Sequence, residues 1–133
     1  MKQNPYIFVY GTLQRGFHNH RLLATAVFSG RAQTADKYVL RSRPGGIPFV
    51  GKDQARYPIH GELYAVNEHE FAQLDRLEGC RMDAPELSWY HRERIAVLVG
   101  SQRVTAWIYF NPDRNEPVAP HGNWSQLDFT ETV

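Results

Sequence analysis

The sequence predicts an α+β fold: a mostly antiparallel, strongly curved sheet or small barrel, with a helix over 68–78 packed against it. Three observations support this prediction: strand patterns outnumber helix patterns, two neighbouring strands form a hairpin, and the strands do not alternate regularly with helices. Regular alternation would instead indicate a doubly wound parallel sheet. At 133 residues, the chain is expected to form one domain over 1–133, with a core over 6–110 and an irregular tail over 111–133.

The first third of the chain predicts a buried strand followed by weaker elements. Residues 6–10 are a continuous run of β-branched and aromatic side chains, which is typical of a strand buried on both faces. This strand ends at Gly11. Residues 19–26 favour a helix, residues 32–40 have room for one or two weak strands, and the prolines and glycines of 43–48 predict a loop.

The best-specified element is a helix over 68–78. Asn67 is a suitable N-cap, and Glu70 lies at the spacing of a capping box. Val66 and Phe71 are placed to form a hydrophobic staple across this cap. Gly79 is positioned to end the helix, because glycine adopts the left-handed conformation without Cβ strain.

The other predicted strands lie on both sides of this helix. Residues 59–66 alternate in the manner of a strand, whereas residues 81–87 form a loop. Two strong strands, 90–99 and 102–110, are joined by Gly100-Ser101, a two-residue hairpin turn with glycine first. The tail is expected to wrap the surface, with Trp124 as its anchor.

Composition excludes several classes of protein. Lys and Arg number 15 against 14 Asp and Glu, which argues against a dedicated nucleic-acid or anionic-membrane binder. One cysteine excludes an intrachain disulfide and a cysteine-rich metal site. No apolar run approaches the ~20 residues of a membrane span, and the run near the N-terminus is too short for a secretory signal. We therefore expect a soluble protein of the cytoplasm.

Glu78 is the first candidate functional residue. At about 100° per residue in an α-helix, position 78 falls between Phe71 and Leu74 on the face that is predicted to be buried. Burial and the negative end of the helix dipole both disfavour the ionised carboxylate, so both raise its pKa toward the range of a general base. The alternative is that the last turn frays and Glu78 turns into water.

The turn after the first strand is the second candidate. Gly11 has no Cβ, so backbone N–H groups here can approach a ligand closely. Successive N–H groups in such a turn favour anions. Taken alone, however, a glycine after a strand is more often only a turn.

Other chemistries have weaker support. His18 and His20 lack the second short pair of ligands that a zinc site needs. Cys80 can be a nucleophile with His91 as its base, but a lone cysteine beside a glycine is more often inert. The aromatic and arginine residues of 89–94 run into a core strand, which favours a strand end over a single-strand nucleic-acid site. We expect neither a metal nor a cofactor.

A series of short motifs resembles one known family. The segment VYGTLQRG at 9–16, followed by Asn19-His20-Arg21, is similar to the N-terminal signature of the gamma-glutamylcyclotransferase superfamily, and closest to its gamma-glutamylamine cyclotransferase branch. The similarity covers roughly 6–110 and continues through Ile47-Pro48-Phe49, 61–66, Leu74-Asp75-Arg76-Leu77-Glu78-Gly79, Tyr90-His91-Arg92 and Trp107-Ile108-Tyr109.

The resemblance implies a small, strongly curved, mostly antiparallel or mixed β-barrel with a few packed helices and a central cavity. It also implies a cyclotransferase that converts a γ-glutamyl amine or γ-glutamyl amino acid into 5-oxoproline and a free amine. It implies that Glu78 is the essential acid/base and that the loop of Tyr10, Gly11, Thr12 and Leu13 binds the glutamyl part. Tyr90 matches a tyrosine near the site, although the twelve-residue spacing from Glu78 is longer than the resemblance implies. This leaves open whether the loop 81–89 reshapes the pocket.

The resemblance also bears on partners. It implies a small-molecule γ-glutamyl substrate and a monomer or weak homodimer, with no nucleic acid and no membrane. A non-catalytic ligand-binding or regulatory domain on the same fold is the alternative, since some small bacterial relatives lack the glutamate. The presence of Glu78 favours the enzyme.

Overall fold

A closed five-stranded barrel forms the centre of the computed structural model, which describes residues 4–16, 18–43 and 46–124. The strands are β1 (Tyr6–Val9), β2 (Val27–Thr34), β3 (Val39–Arg43), β4 (Ile47–Gly51), β5 (His60–Ala65), β6 (His91–Val99) and β7 (Gln102–Phe110). Their order is β1-β5-β2-β6-β7-β4-β3, and β1 also pairs with β7 in parallel, which closes the ring. The predicted α+β barrel class is confirmed.

The two faces of the barrel wall are buried in two separate clusters. Neighbouring residues of a strand point to opposite faces, so Ile7 and Phe8 enter different clusters. The cluster of Phe8, Leu63 and Ile108 contains no residue of the helix and fills the inside of the barrel. The other cluster joins Ile7 to the helix residue Leu74. The prediction that the first strand is buried on both faces is therefore correct.

Helix α1 (Glu68–Glu78) has the predicted bounds and caps. The Asn67 Oδ1 atom accepts from the Glu70 N–H at 2.8 Å, and the Glu70 carboxylate accepts from the Asn67 N–H at 2.8 Å. Gly79 adopts φ +62°, and its N–H donates to the Arg76 carbonyl. The Cys80 N–H donates to the Asp75 carbonyl, which completes a Schellman motif. The end of the helix is therefore fixed, not frayed.

The predicted hairpin and the tail anchor are also present. Gly100 has φ +59° and Ser101 has a negative φ, as a glycine-first turn requires. Trp124 is 5% exposed, and its indole N–H donates to the Gly46 carbonyl at 3.2 Å.

The loop prediction for 43–48 is wrong at its C-terminal part, because β4 begins at Ile47. Pro48 can lie in this strand because β4 pairs with β7 only at Val50, so the missing N–H of Pro48 breaks no ladder there. Pro44 and Gly45 lie outside the described residues.

Three further boundaries differ from the prediction. Strand β2 begins at Val27, before the predicted 32–40. The sequence pattern missed this start because a bulge at Gly30 interrupts the alternation of side chains along the strand. The helical segment 19–26 is a 3-10 helix over His18–Leu23, and the loop 81–87 contains a short 3-10 turn over Pro85–Leu87. None of the helices in the described part of the chain is long and apolar enough to cross a membrane.

Candidate active site

A cavity of about 570 Å³ opens where the end of β1, the end of α1 and the segment before β6 meet. All six residues singled out from the sequence line it: Tyr10, Gly11, Thr12, Leu13, Glu78 and Tyr90. The fold brings them together because β1 and β7 pair beneath α1. The wall also contains residues that sequence reasoning did not select, among them Arg43, Trp89 and Tyr109.

The backbone carbonyls of the loop 10–13 are all engaged within the protein. Gln14 donates from its side chain to the Tyr10 carbonyl at 2.9 Å and from its backbone to the Gly11 carbonyl at 3.0 Å. The next two carbonyls accept from the Asn19 N–H at 3.1 Å and from His20 Nδ1 at 3.0 Å, which places the ring proton on Nδ1. These bonds fix the loop independently of any ligand.

The N–H groups of the same loop are not engaged in this way. Within 4–16, 18–43 and 46–124, the N–H groups of Gly11, Thr12 and Leu13 have no hydrogen-bond acceptor. A loop with satisfied carbonyls and free N–H groups presents partial positive charge to the cavity it lines. It is suited to a carboxylate or to an oxyanion.

Gly11 is needed for a different reason from the one predicted. A Cβ atom at this position would lie 2.7 Å from Cγ of Pro48. The glycine therefore lets the loop pack directly against β4. This contact holds the loop at the cavity wall.

Glu78 is the ionisable group at the opposite end of this site. Its side chain is half-buried, and it has no hydrogen bond or ion pair with any described residue. Burial raises the pKa of Glu78 from 4.5 to about 7. At neutral pH such a carboxylate can both accept a proton and return it.

Three tyrosines surround this carboxylate and stay neutral. Burial raises the pKa of Tyr90 to about 12 and also raises those of Tyr10 and Tyr109. The hydrogen bond to Asp75 raises the pKa of Tyr109 further, and the charge of Glu78 contributes at all three. The Tyr10 hydroxyl donates to the Tyr109 carbonyl at 2.9 Å. The Tyr90 hydroxyl has no partner among the described residues, so it is free to bond a ligand.

A network on the outer side of the barrel holds the end of α1 in place. The Tyr109 hydroxyl donates to Asp75 Oδ1 at 2.7 Å, and Arg92 Nε lies 2.9 Å from the same oxygen. The Arg92 guanidinium also stacks 4.0 Å from the centroid of the Phe71 ring. Because Asp75 is one turn before Glu78, these contacts position the carboxylate.

The cavity also contains a cation that the sequence analysis did not select. The Arg43 guanidinium lies 4.7 Å from the Phe49 ring centroid, 5.3 Å from that of Trp89 and 5.9 Å from that of Tyr90. Arg43 was recognised only as the start of a loop. Its place depends on the pairing of β3, β4 and β7, which no local pattern encodes.

The alternative nucleophile is not assembled. Cys80 is buried, and burial raises the pKa of its thiol, which disfavours the reactive thiolate. His91 lines a separate cavity with Lys52 and Glu93 and does not meet Cys80 there. The part of the chain that the structure describes contains no cluster of three or more potential metal ligands from His, Cys, Asp and Glu.

Comparisons with known proteins agree on one family. The family described as "Gamma-glutamyl cyclotransferase, AIG2-like" matches residues 7–126. Human gamma-glutamylaminecyclotransferase is 33% identical over 124 residues, which cover 86% of this chain and 71% of the human protein. A provisionally named gamma-glutamylcyclotransferase of Vibrio cholerae is 35% identical over 122 residues, which cover 90% of this chain and 95% of the bacterial protein.

The fold is also shared with solved structures. The crystal structure of a mouse AIG2-like protein superposes with a TM-score of 0.73 at 28% identity, and the match covers 89% of this chain and 87% of the mouse chain. The shared architecture includes the barrel that brings the cavity residues together.

Proposed function

The chain belongs to the gamma-glutamyl cyclotransferase, AIG2-like family, and we propose that it converts a γ-glutamyl amine or γ-glutamyl amino acid into 5-oxoproline and a free amine, with Glu78 as the general acid/base. The family match confirms the resemblance and the cyclotransferase class predicted from the sequence. The observation that carries the proposal is a half-buried carboxylate in the same cavity as three backbone N–H groups, none of which has a hydrogen-bond partner among the described residues.

The first step is a proton transfer. The α-amino group of a γ-glutamyl substrate is protonated at neutral pH and is then not a nucleophile. The Glu78 carboxylate takes one proton from it, which its raised pKa permits. The neutral amine can then attack the γ-carbonyl carbon of the same molecule.

The second step closes the ring. The new C–N bond completes a five-membered lactam, and the γ-carbonyl oxygen becomes an oxyanion. Because the attack is intramolecular, holding the glutamyl chain folded supplies much of the rate enhancement. The N–H groups of Gly11, Thr12 and Leu13 are the donors available to the substrate carboxylate and the oxyanion.

The last step releases the products. After the attack, the ring nitrogen carries two protons and a positive charge. The oxyanion collapses, the bond to the leaving nitrogen breaks, and Glu78 returns its proton to that nitrogen. The ring nitrogen loses its second proton, which the released amine binds, so the amine leaves as an ammonium ion. The reaction consumes no water, and Glu78 regains its starting ionisation. The neutral Tyr90 hydroxyl is available to hold the substrate beside the carboxylate.

The direct test is to incubate the protein with γ-glutamyl-alanine, γ-glutamyl-ε-lysine, a γ-glutamyl polyamine and glutathione, and to measure 5-oxoproline by mass spectrometry. We expect release from at least one substrate, and its loss in Glu78→Gln. Glu68→Gln, an exposed change in the first turn of the same helix, is the matched control.

Two results would contradict the proposal. Full activity of Glu78→Gln would remove the acid/base role. Binding of 5-oxoproline without turnover of any substrate would favour the ligand-binding alternative. The monomeric or weakly dimeric state and the cytoplasmic location stay predictions.

A further inference from the structure

Arg43 is a positive charge in the cavity with no anionic partner in the described part of the chain. Among the described residues its guanidinium has no hydrogen bond and no ion pair, and its Nε atom is buried without an acceptor. Buried guanidinium donors are normally satisfied, because leaving one unpaired is costly. An acceptor from a bound ligand would satisfy this one.

A second arginine in the same strand shows how the fold satisfies a guanidinium when it is structural. Arg41 lies two residues before Arg43 in β3 and donates to both carboxylate oxygens of Asp53, at 2.7 and 2.8 Å. Its Nε donates to the Glu116 carbonyl at 3.2 Å. No such partner is supplied to Arg43 by the described residues.

Glu78 does not neutralise Arg43 either. The two side chains form no hydrogen bond and no ion pair with each other. Both charges nevertheless act on Tyr10 and Tyr90. Both side chains line the cavity, so its wall carries a carboxylate and a guanidinium that are not paired with each other.

Arg43 lies at the boundary between the interior and the opening of the cavity. On one side are the buried Phe49 and Tyr90 rings, and on the other are Trp89, which is 69% exposed, and Ile47, which is 53% exposed. Trp89 is held there by its backbone, whose N–H donates to the Gly79 carbonyl at 2.9 Å and whose carbonyl accepts from Asn111 at 3.0 Å.

The position of Trp89 indicates which part of a substrate reaches Arg43. Glu78 must return its proton to the leaving nitrogen, so the leaving group lies beside Glu78. Gly79 follows Glu78 directly, and its carbonyl accepts from the Trp89 N–H. The Trp89 ring in turn lies 5.3 Å from the Arg43 guanidinium. The carboxylate of the glutamyl part has other donors, the N–H groups of the loop 10–13.

We propose that Arg43, flanked by Trp89 and Tyr90, forms a subsite for a carboxylate on the leaving amine. The protein then prefers γ-glutamyl amino acids, whose leaving group carries an α-carboxylate, over γ-glutamyl amines that lack one. This inference rests on the proposed function. Arginine suits the role because its planar fork matches a carboxylate in two parallel hydrogen bonds.

The test compares two substrates that differ in this carboxylate alone, γ-glutamyl-alanine and γ-glutamyl-ethylamide. We expect wild-type kcat/KM to favour γ-glutamyl-alanine by about tenfold to a hundredfold, the range of one charge-assisted contact. Arg43→Met should bring the ratio of the two kcat/KM values close to one, mainly by raising KM for γ-glutamyl-alanine. Arg43→Lys should retain part of the preference. Arg103→Met, an exposed change in β7 away from the cavity, should keep the wild-type ratio.

The outcomes separate the subsite from the proposed function. Turnover of both substrates with a ratio that Arg43→Met leaves unchanged would overturn the subsite and leave the proposed function intact. Equal losses for both substrates would place Arg43 on the glutamyl carboxylate and would also overturn the subsite. Absence of 5-oxoproline from every substrate would contradict the proposed function instead.

A binding measurement tests the subsite even without turnover. Calorimetry on Glu78→Gln, with and without Arg43→Met, should show γ-glutamyl-alanine binding at least about tenfold more weakly to the double variant. The affinity for γ-glutamyl-ethylamide should change much less. Equal changes for the two ligands would overturn the subsite.

Discussion

Glu70, in the first turn of α1, and Glu78, in its last turn, differ in their hydrogen bonding. Glu70 is 4% exposed and accepts hydrogen bonds from the Asn67 N–H and from the Thr25 hydroxyl. Glu78 accepts none from the described residues. The first end uses its carboxylate to hold the helix, and the second leaves its carboxylate available to a ligand.

The way the helix ends explains why Glu78 can be left free. The Asp75 and Arg76 carbonyls in the last turn of α1 accept from the N–H groups of Cys80 and Gly79, so they need no side chain. At the first end, by contrast, side chains form the cap: Asn67 accepts from the Glu70 N–H, and Glu70 accepts from the Asn67 N–H. A backbone cap at one end and a side-chain cap at the other give the two glutamates different roles.

The largest expected effect comes from Glu78→Gln. Removing a general acid/base typically lowers kcat by about a hundredfold to ten-thousandfold, and we expect a loss in that range. Stability at pH 8 should not fall, because a neutral amide replaces a buried charge. The measurements are 5-oxoproline release and urea unfolding. A variant that is inactive because it is unfolded would contradict this prediction.

The next effect is a pH-dependent stability difference between wild-type and Glu78→Gln. The pKa of Glu78 is raised from 4.5 to about 7, so between these values the folded protein keeps a proton that the unfolded chain loses. Wild-type stability therefore falls with rising pH relative to the variant, by about 3 kcal/mol in total, and then levels off. Urea unfolding of both proteins from pH 4.5 to 8 measures it. A difference that does not grow over this window would contradict the raised pKa.

A smaller effect is expected where the C-terminal end of α1 is anchored to the barrel. Asp75→Asn removes the ion pair with Arg92, and we expect about 2 kcal/mol less stability. It should also lower kcat by about tenfold, because Glu78 would be held less accurately. Tyr109→Phe, which removes one hydroxyl from the same carboxylate, is the milder matched variant. Unchanged kcat in both would show that this network does not position Glu78.

The smallest effect is expected at the other end of the helix. Glu70→Ala removes the capping box and the bond from Thr25, and should lower stability by about 1 to 2 kcal/mol. The rate of 5-oxoproline release per folded molecule should stay close to that of wild-type. Guanidinium unfolding and an activity assay on the folded fraction measure the two quantities. A large loss of turnover with unchanged stability would contradict this prediction, because Glu70 would then act in the reaction and not in helix stability.

The features that local sequence determines were predictable. The Asn67 and Glu70 spacing, the staple of Val66 and Phe71, and Gly79 set both ends of α1 within the segment itself. Once the helix was placed, its period turned Glu78 toward the buried face. The glycine-first hairpin was predictable for the same reason, since its two turn residues carry the signal.

The features that depend on distant pairing were not predictable. The start of β4 at Ile47 is stabilised by β3 and β7, and its own proline and glycines argue against a strand. Arg43 faces the cavity because of this arrangement, so nothing in its local sequence separated it from the other arginines. The need for a glycine at position 11 was predicted, but its cause, the Pro48 ring, became visible only in three dimensions.

The seam that closes the barrel has a consequence for how the site comes into being. Strand β1 meets β7 through the pairing of Ile7 with Trp107, and the Tyr10 hydroxyl reaches the Tyr109 carbonyl across 99 positions of the chain. Contacts so distant in sequence carry a large loop-closure cost and tend to form late. The cavity lies along this seam. During synthesis, the cavity can therefore form only after β7 has left the ribosome.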